Sequence, residues 1–272
     1  MPLLVLTLLA ALFAVWLLGQ PYWLARKRAA IAAQPFPDAW RDILRRRVPY
    51  VRAMPADLQL QLKKHIQVFI AEKAFLGCAG QVITDEVRVT IAAQACLLLL
   101  NRPAHYYPGL RQILVYPGSF VVPRAHTDSA GVAHSGRDVL AGESWAHGQV
   151  VLSWQDALEG AATVDDGRNV VIHEFAHQLD QETGSANGAP VLSRTEHYAR
   201  WAAVLQAEFE ALQHSTEQHE ETLFDAYGAT EPAEFFAVVS EVFFEQPQRM
   251  ATEHPALYQE LAQFYRLDPQ SW

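Results

Sequence analysis

Cysteine is almost absent from this 272-residue sequence, which holds only Cys78 and Cys96. Two cysteines without C-x-x-C spacing exclude a disulfide framework and a thiolate metal cluster, and read as small buried apolar residues in a reducing compartment. Charge is also scarce, at 19% of residues, and is missing altogether from Pro2 to Leu24. Positive charge is short overall: 21 Lys and Arg face 30 Asp and Glu, for a net charge of -9. The deficit is uneven. From Arg26 to Arg52 eight basic residues meet two acidic ones, so the remainder carries thirteen basic residues against twenty-eight acidic. An acidic main domain would have to contact phosphates against its own field, so nucleic acid is excluded as a partner. There is no internal repeat and no low-complexity tract, and half of the residues are hydrophobic. That composition can bury one substantial core, so a single globular domain is expected.

The uncharged N-terminal run, Leu3 to Leu18 and on through Pro21-Tyr22-Trp23-Leu24, would as a helix of about 22 residues reach roughly 30 Å, the thickness of a bilayer core. Trp16, Tyr22 and Trp23 suit the interface, and Arg26-Lys27-Arg28 follows at once. Ala30-Ile31-Ala32 offers a cleavage-like pattern, but a basic segment before the run is missing and the charges follow it, which favours a retained span over a signal peptide. The positive-inside rule then keeps the basic collar in the cytoplasm. The expected organisation is a transmembrane anchor over 1–28, a basic juxtamembrane segment with a short helix over 29–54, and the main domain over 55–272. The protein would be a single-pass protein of the cell inner membrane, with its main domain in the cytoplasm.

Along the domain, Asp38 is expected to cap a short helix to about Arg46. Leu58, Leu62, Ile66, Phe69 and Ile70 set a helical stripe from Ala56 to Phe75, stopped by Gly77 and Gly80. Val87 to Leu100 is apolar on nearly every side and predicts a buried central helix. Residues 113–116, 120–122 and 150–152 are short β-rich runs that predict a small sheet, with 120–122 or 150–152 as a peptide-pairing edge. The polar stretch between Pro123 and Gly148, with His126, His134 and His147, reads as a loop or irregular hairpin; its histidines lack ligand spacing. Helices are expected near 169–181, 195–213, 232–244 and 254–265. Helices, a short sheet, then helices give an α+β class.

Val170 to Asp180 contains His173-Glu174-Phe175-Ala176-His177, an H-E-x-x-H pattern within an apolar stripe. Residues four apart share a helix face, so both imidazoles can reach one ion while Glu174 stands beside its water. Burying two histidines and a glutamate in so apolar a stripe would be costly without a metal or hydrogen-bond partners. Catalytic zinc takes three protein ligands and leaves one position open. The extended pattern fails, because Asp180 and Thr183 stand where glycine and a third histidine would be. Glu234 and Glu241 lie seven residues apart, close to two turns, on one face of an apolar helix. Glu234 is the first choice as third ligand and Glu241 a support for a histidine. Asp225, just before Tyr227-Gly228, is the rival ligand, and Asp180, one turn beyond His177, could orient an imidazole or cap a turn.

At these residues the chain resembles the Mlc titration factor A family of bacterial zinc peptidases. The likeness runs from about Phe36 to Tyr265 and includes Phe36-Pro-Asp-Ala-Trp40, Val89-Thr-Ile-Ala-Ala-Gln-Ala95, Leu114-Val-Tyr-Pro117 and Asp225-Ala-Tyr-Gly-Ala-Thr230. It implies a zincin-like metallopeptidase fold, mostly helical with a small sheet, and one Zn2+ per chain held by His173, His177 and Glu234, with Glu174 as general base. It also implies aminopeptidase-type activity on peptide or protein substrates, and binding of a glucose-responsive transcriptional repressor. The alternative to a zinc peptidase is thus a regulator that sequesters a repressor of sugar uptake, its metal site auxiliary. The site is similar to that of anthrax lethal factor, where a tyrosine lies seven residues before the glutamate ligand; by that analogy Tyr227 would hydrogen-bond the developing oxyanion. Family members can lack the apolar N-terminal run, and there the sequence departs.

Overall fold

The chain opens with helices α1 (Pro2–Ala32), α2 (Asp38–Arg47) and α3 (Ala56–Glu72), then strand β1 (Ala74–Gly77) and helix α4 (Asp85–Leu97). Strands β2 (Gln112–Tyr116), β3 (Phe120–Thr127), β4 (Ala133–Leu140), β5 (Gly142–Trp145) and β6 (Gln149–Ser153) follow. The rest is helical: α5 (Trp154–Ala162), α6 (Val170–Asp180), α7 (His197–Glu217), α8 (Pro232–Glu245), α9 (Pro247–Glu253) and α10 (Pro255–Tyr265). This computed structural model describes the backbone of residues 2–103, 105–127, 133–140, 142–145, 148–163 and 165–272. Side chains at 120–141, 143–147, 183 and several positions before residue 19 are outside the description. The class is α+β, mostly helical with a small sheet, as the sequence predicts.

The sheet has the order β1-β2-β6-β5, with β1, β2 and β6 parallel and β5 antiparallel at one edge. Two of the three β-rich runs, in β2 and β6, are neighbours. The third, in β3, pairs instead with β4 in a separate antiparallel ribbon. The polar stretch before Gly148 therefore supplies a hairpin strand and the edge strand β5. In the ribbon, His126 and His134 are cross-strand partners in register; their side chains and the whole of His147 lie outside the described residues. Because β6 sits between β2 and β5, Val150 to Leu152 is not an edge. Helix α3 stops short of Phe75 because the chain turns extended at Lys73, whose buried Nζ donates to the carbonyls of Tyr107 and Leu110 at 2.8 and 2.7 Å. Residues 74–77 then join the sheet beside β2, a non-local pairing invisible to helical periodicity. Helices α5 and α9 have no counterpart in the sequence reading.

Local chemistry sets the helix boundaries. Thr84 caps α4 through its side chain, Asn169 caps α6, and Asp38 lies inside α2 rather than at its cap, which is Pro37. Pro232, Pro247 and Pro255 each stand at the first turn of α8, α9 and α10, where the missing N–H costs nothing and the fixed φ suits a helix start. Helix α4 is buried from Val89 to Leu97, the central helix expected. Against it α6 buries Val171, Ile172, Phe175 and Leu179, and α8, packed in turn on α6, buries Phe235, Phe236, Val239 and Phe243. Each such side chain contributes about 1.5–3 kcal/mol on burial, so α6 and α8 are fixed by core packing before their polar residues meet. Both cysteines are free, Cys96 buried and Cys78 half-buried.

Helix α1 runs unbroken across the segment boundary expected at Arg28. Arg28 docks it on the domain: the guanidinium makes a two-pronged ion pair with Glu72, Nε to Oε1 and Nη2 to Oε2 both at 2.8 Å, and lies 4.6 Å over the Tyr106 ring. Among the described residues no helix is long and apolar enough to cross a membrane, so the spanning expectation gains no support from the fold.

Candidate metal centre

Two helices build the site. On α6, His173 and His177 point the same way, one turn apart, with ring centroids 4.9 Å from each other. On α8, Glu234 lies in the first turn, where the helix dipole favours a carboxylate. Its Oε2 stands 2.9 Å from His173 Nε2 and 3.2 Å from His177 Nε2. Among the described residues these three are the group of ligand atoms, all within 4.8 Å of one another, that could hold a metal ion. They border a cavity of about 640 Å3 that also meets Glu174, Tyr227 and Glu241.

The seven-residue spacing of Glu234 and Glu241 puts both acids on the α6 side of α8. Glu241 Oε1 sits 2.7 Å from His173 Nδ1, and its Oε2 accepts the backbone N–H of Asn169. A carboxylate can only accept, so His173 Nδ1 carries the hydrogen, and the neutral form of that ring has its Nε2 lone pair turned toward Glu234. Asn169 completes the brace: its Oδ1 caps Ile172 N–H at 3.0 Å, while its Nδ2 donates to Gly160 O and to Glu245 Oε1, each at 3.0 Å. Glu241 therefore supports a histidine, as its position in the sequence suggests. Asn169 and Glu245 were missed, although Glu245, four residues after Glu241, falls on the same face.

The electrostatics test whether a cation fits. Two Nε2 atoms facing one carboxylate oxygen at 2.9 and 3.2 Å call for positive charge among them, supplied either by protons on the rings or by a bound cation. Burial lowers the His173 pKa, but the Glu241 charge and the hydrogen bonds to Glu234 and Glu241 outweigh it, and the imidazole is held well above its ordinary range. Burial raises the Glu234 carboxyl, and the two histidines overcome this and hold it well below the usual carboxylate range. Glu174 behaves otherwise. It is only 4% exposed, its Oε2 has no hydrogen-bond partner, and burial pushes its carboxyl up to about 7 against the pull of His173 and His177. Two nitrogens and an oxygen converging on one point, beside an orphaned carboxyl, suit a bound divalent cation and its water.

The other candidates separate cleanly. Asp225 takes no part in the group: its Oδ2 accepts from Arg168 Nη2 at 2.7 Å, and its Oδ1 caps Tyr227 N–H at 2.9 Å. That cap starts the 3-10 turn Ala226–Ala229, which presents the exposed Tyr227 ring 6.1 Å from the His173 ring. Asp180 is fully buried and its Oδ2 accepts the N–H groups of Asn187 and Gly188, both at 2.7 Å, so it pins the loop after α6. Burial raises its pKa, opposed by those bonds and by the His177 charge. Strand β5 runs beside Glu174: a Cβ on Gly142 would come within 2.6 Å of Glu174 Oε1 and of Val170 Cγ2. Only glycine permits that approach, and the sequence reading gave Gly142 no role.

Comparison with known proteins points to a metallopeptidase-type protein. The model of the family described as glucose-regulated metallo-peptidase M90 matches residues 22–266. A Synechocystis sp. protein designated slr2042 is 41% identical over 267 residues, covering 97% of this chain and 96% of that protein. The Mlc titration factor A of Serratia proteamaculans is 36% identical over 233 residues, 85% of this chain and 87% of its own length. That of Yersinia pestis is 33% identical over 251 residues, 91% and 89% of the two chains.

Proposed function

We propose that this chain, which belongs to the glucose-regulated metallo-peptidase M90 family and is of the metallopeptidase type, hydrolyses peptide bonds with one zinc ion held by His173, His177 and Glu234 in a zincin-like fold. The convergence of those three ligand atoms within 4.8 Å carries the reading. When bound, the ion supplies a water of lowered pKa and polarises the scissile carbonyl. Glu174 would take a proton from the attacking water at its unpartnered Oε2 and would pass it to the leaving amine. Tyr227 donates its phenol hydrogen to the carbonyl oxygen as negative charge develops there. Glu241 and Asn169 keep His173 in the tautomer that presents Nε2. The edge of β5, which has no partner strand among the described residues and runs beside Glu174, would take an extended substrate as an added strand. The activity is of the aminopeptidase type, as the family resemblance implies. Hydrolysis of aminoacyl reporter substrates by the purified chain tests the mechanism. Glu174→Gln should retain the metal and lose about 10²–10⁴-fold in turnover; undiminished turnover would remove Glu174 from its role.

A second reading is favoured by the name shared by several relatives, Mlc titration factor A. In it the chain binds a transcriptional repressor, with the metal site auxiliary. Repressor capture that survives Glu174→Gln undiminished, together with a wild-type chain that turns over no peptide, would select it.

For location, the reading is attachment to the inner membrane through α1, with the domain cytoplasmic. It rests on the uncharged run from Pro2 to Leu24 and on the exposure of Leu4, Leu6, Trp16 and Trp23 along that helix. The full chain should pellet with membranes and resist salt extraction, and removal of residues 1–24, which spares the Arg28 dock, should release it. Recovery of the full chain in the soluble fraction would discard the anchor.

A further inference from the structure

Tyr227 reaches the metal-site cavity from a segment that shares no element with the histidines, so its distance from them has to be fixed by contacts between segments. Core packing holds the far side of its turn. Phe224 is buried against Phe235, Gly228 packs where a Cβ would stand 3.2 Å from Val238 and 3.3 Å from Leu212, and Gln213 Nε2 donates to Ala229 O at 3.1 Å. These contacts are all to α7 and α8, and none of them reaches α6.

Asp225 holds the near side. Its Oδ1 accepts Tyr227 N–H, and its Oδ2 accepts from the Arg168 guanidinium at 2.7 Å, a bond across 57 residues of sequence. Arg168 stands on a rigid base. Before it, Gly167 adopts a φ of 76°, a conformation that a side chain would strain, and the Arg168 N–H donates to Asp166 Oδ1 at 2.9 Å. After it comes Asn169, which caps α6 and whose N–H fixes Glu241 against His173. The ion pair therefore joins the residue before the α6 cap to the cap of the Tyr227 turn, and Arg168 and Tyr227 both border the cavity. With the Arg168 side chain 75% exposed, the pair adds little to folding. What it can decide is where the turn sits.

We infer that Arg168 is a positioning residue for Tyr227: acting through Asp225, it holds the phenol at the distance from the metal centre at which it meets the developing oxyanion, and it touches no substrate itself. The inference rests on the oxyanion role proposed for Tyr227.

Steady-state kinetics of the zinc-loaded chain test it, with amide exchange of the metal-free chain as a readout apart from activity. Arg168→Gln removes the charge from one side, and Asp225→Asn removes it from the other while keeping an oxygen to cap Tyr227. Each should lower kcat about three- to fivefold, the range open to an exposed ion pair, with KM unchanged. The double variant should lose no more than either alone, Arg168→Lys should regain most of the loss, and neither substitution should slow Tyr227→Phe further. Exchange at the amides of Tyr227, Gly228 and Thr230, which are bonded within the turn, should quicken by a similar factor in Arg168→Gln. A rise in KM with kcat unchanged would make Arg168 a substrate contact, and a full further loss in the Tyr227→Phe background would make it a general structural prop. Either result overturns the inference, as does unaltered exchange in the turn. Full turnover by Tyr227→Phe itself would withdraw the oxyanion role and the inference with it, an outcome distinct from additivity.

Discussion

Glu241→Gln replaces one oxygen by an amide nitrogen and leaves volume and shape alone. In the native site Glu241 faces two donors at once, His173 Nδ1–H at 2.7 Å and the backbone N–H of Asn169. A glutamine has one acceptor oxygen for these two donors. If the amide turns its NH2 toward Asn169, a buried backbone donor meets another donor, at a cost of about 1–3 kcal/mol. If it turns the NH2 toward His173, Nδ1 must become the acceptor and the ring hydrogen moves to Nε2, the atom that faces Glu234. In both cases the charge that fixes the ring is gone. Metal affinity should fall about 10–100-fold, which corresponds to about 1.4–2.7 kcal/mol. Competition against a chromophoric chelator measures it directly, and urea unfolding of the metal-free chain separates the affinity loss from a stability loss. An affinity within about twofold of wild type would refute the claim that Glu241 sets the His173 tautomer.

Tyr227→Phe should lower kcat about 10²–10³-fold with the metal retained; because the side chain is 46% exposed, thermal unfolding should barely move. Gly142→Ala should lower kcat about 10²-fold, since the new Cβ would stand 2.6 Å from Glu174 Oε1; unchanged kinetics would mean that β5 yields freely. Glu245→Gln addresses pH. Burial raises the Glu245 carboxyl to about 9 from an ordinary 4.5, with Asp166 and Glu241 adding to burial and the Asn169 hydrogen bond opposing it. The folded state holds this proton more tightly than the unfolded chain, so the Glu245 contribution to stability is greatest below about pH 4.5 and declines as pH rises toward 9, at most about 1.4 kcal/mol per unit. Urea titrations at pH 5 and pH 8 should show that decline shrink in Glu245→Gln, and an identical decline in both proteins would show that Glu245 does not cause it.

The site was legible where chemistry and periodicity coincide. Val171, Ile172, Phe175 and Leu179 predict the α6 helix independently of its histidines, and the seven-residue step from Glu234 to Glu241 aims both acids at α6 before any tertiary information is used. What escaped depends on contacts between distant segments. Strand β1 looks like the end of α3 until β2 pairs with it, and Gly142 gains meaning only because β5 is threaded past Glu174. Asp225 and Glu234 are both acids near the motif; the structure separates them by giving Asp225 an arginine and Glu234 two imidazoles. Sequence spacing carries no information on which partner each acid will meet.

Metal analysis of the purified chain, repeated on Glu234→Ala, bears most directly on the metal centre. One zinc per chain in the wild type and a substoichiometric trace in Glu234→Ala is the outcome expected from a carboxylate oxygen shared between His173 and His177. A wild-type chain that takes up no zinc, or a variant that takes up as much as the wild type, would contradict it.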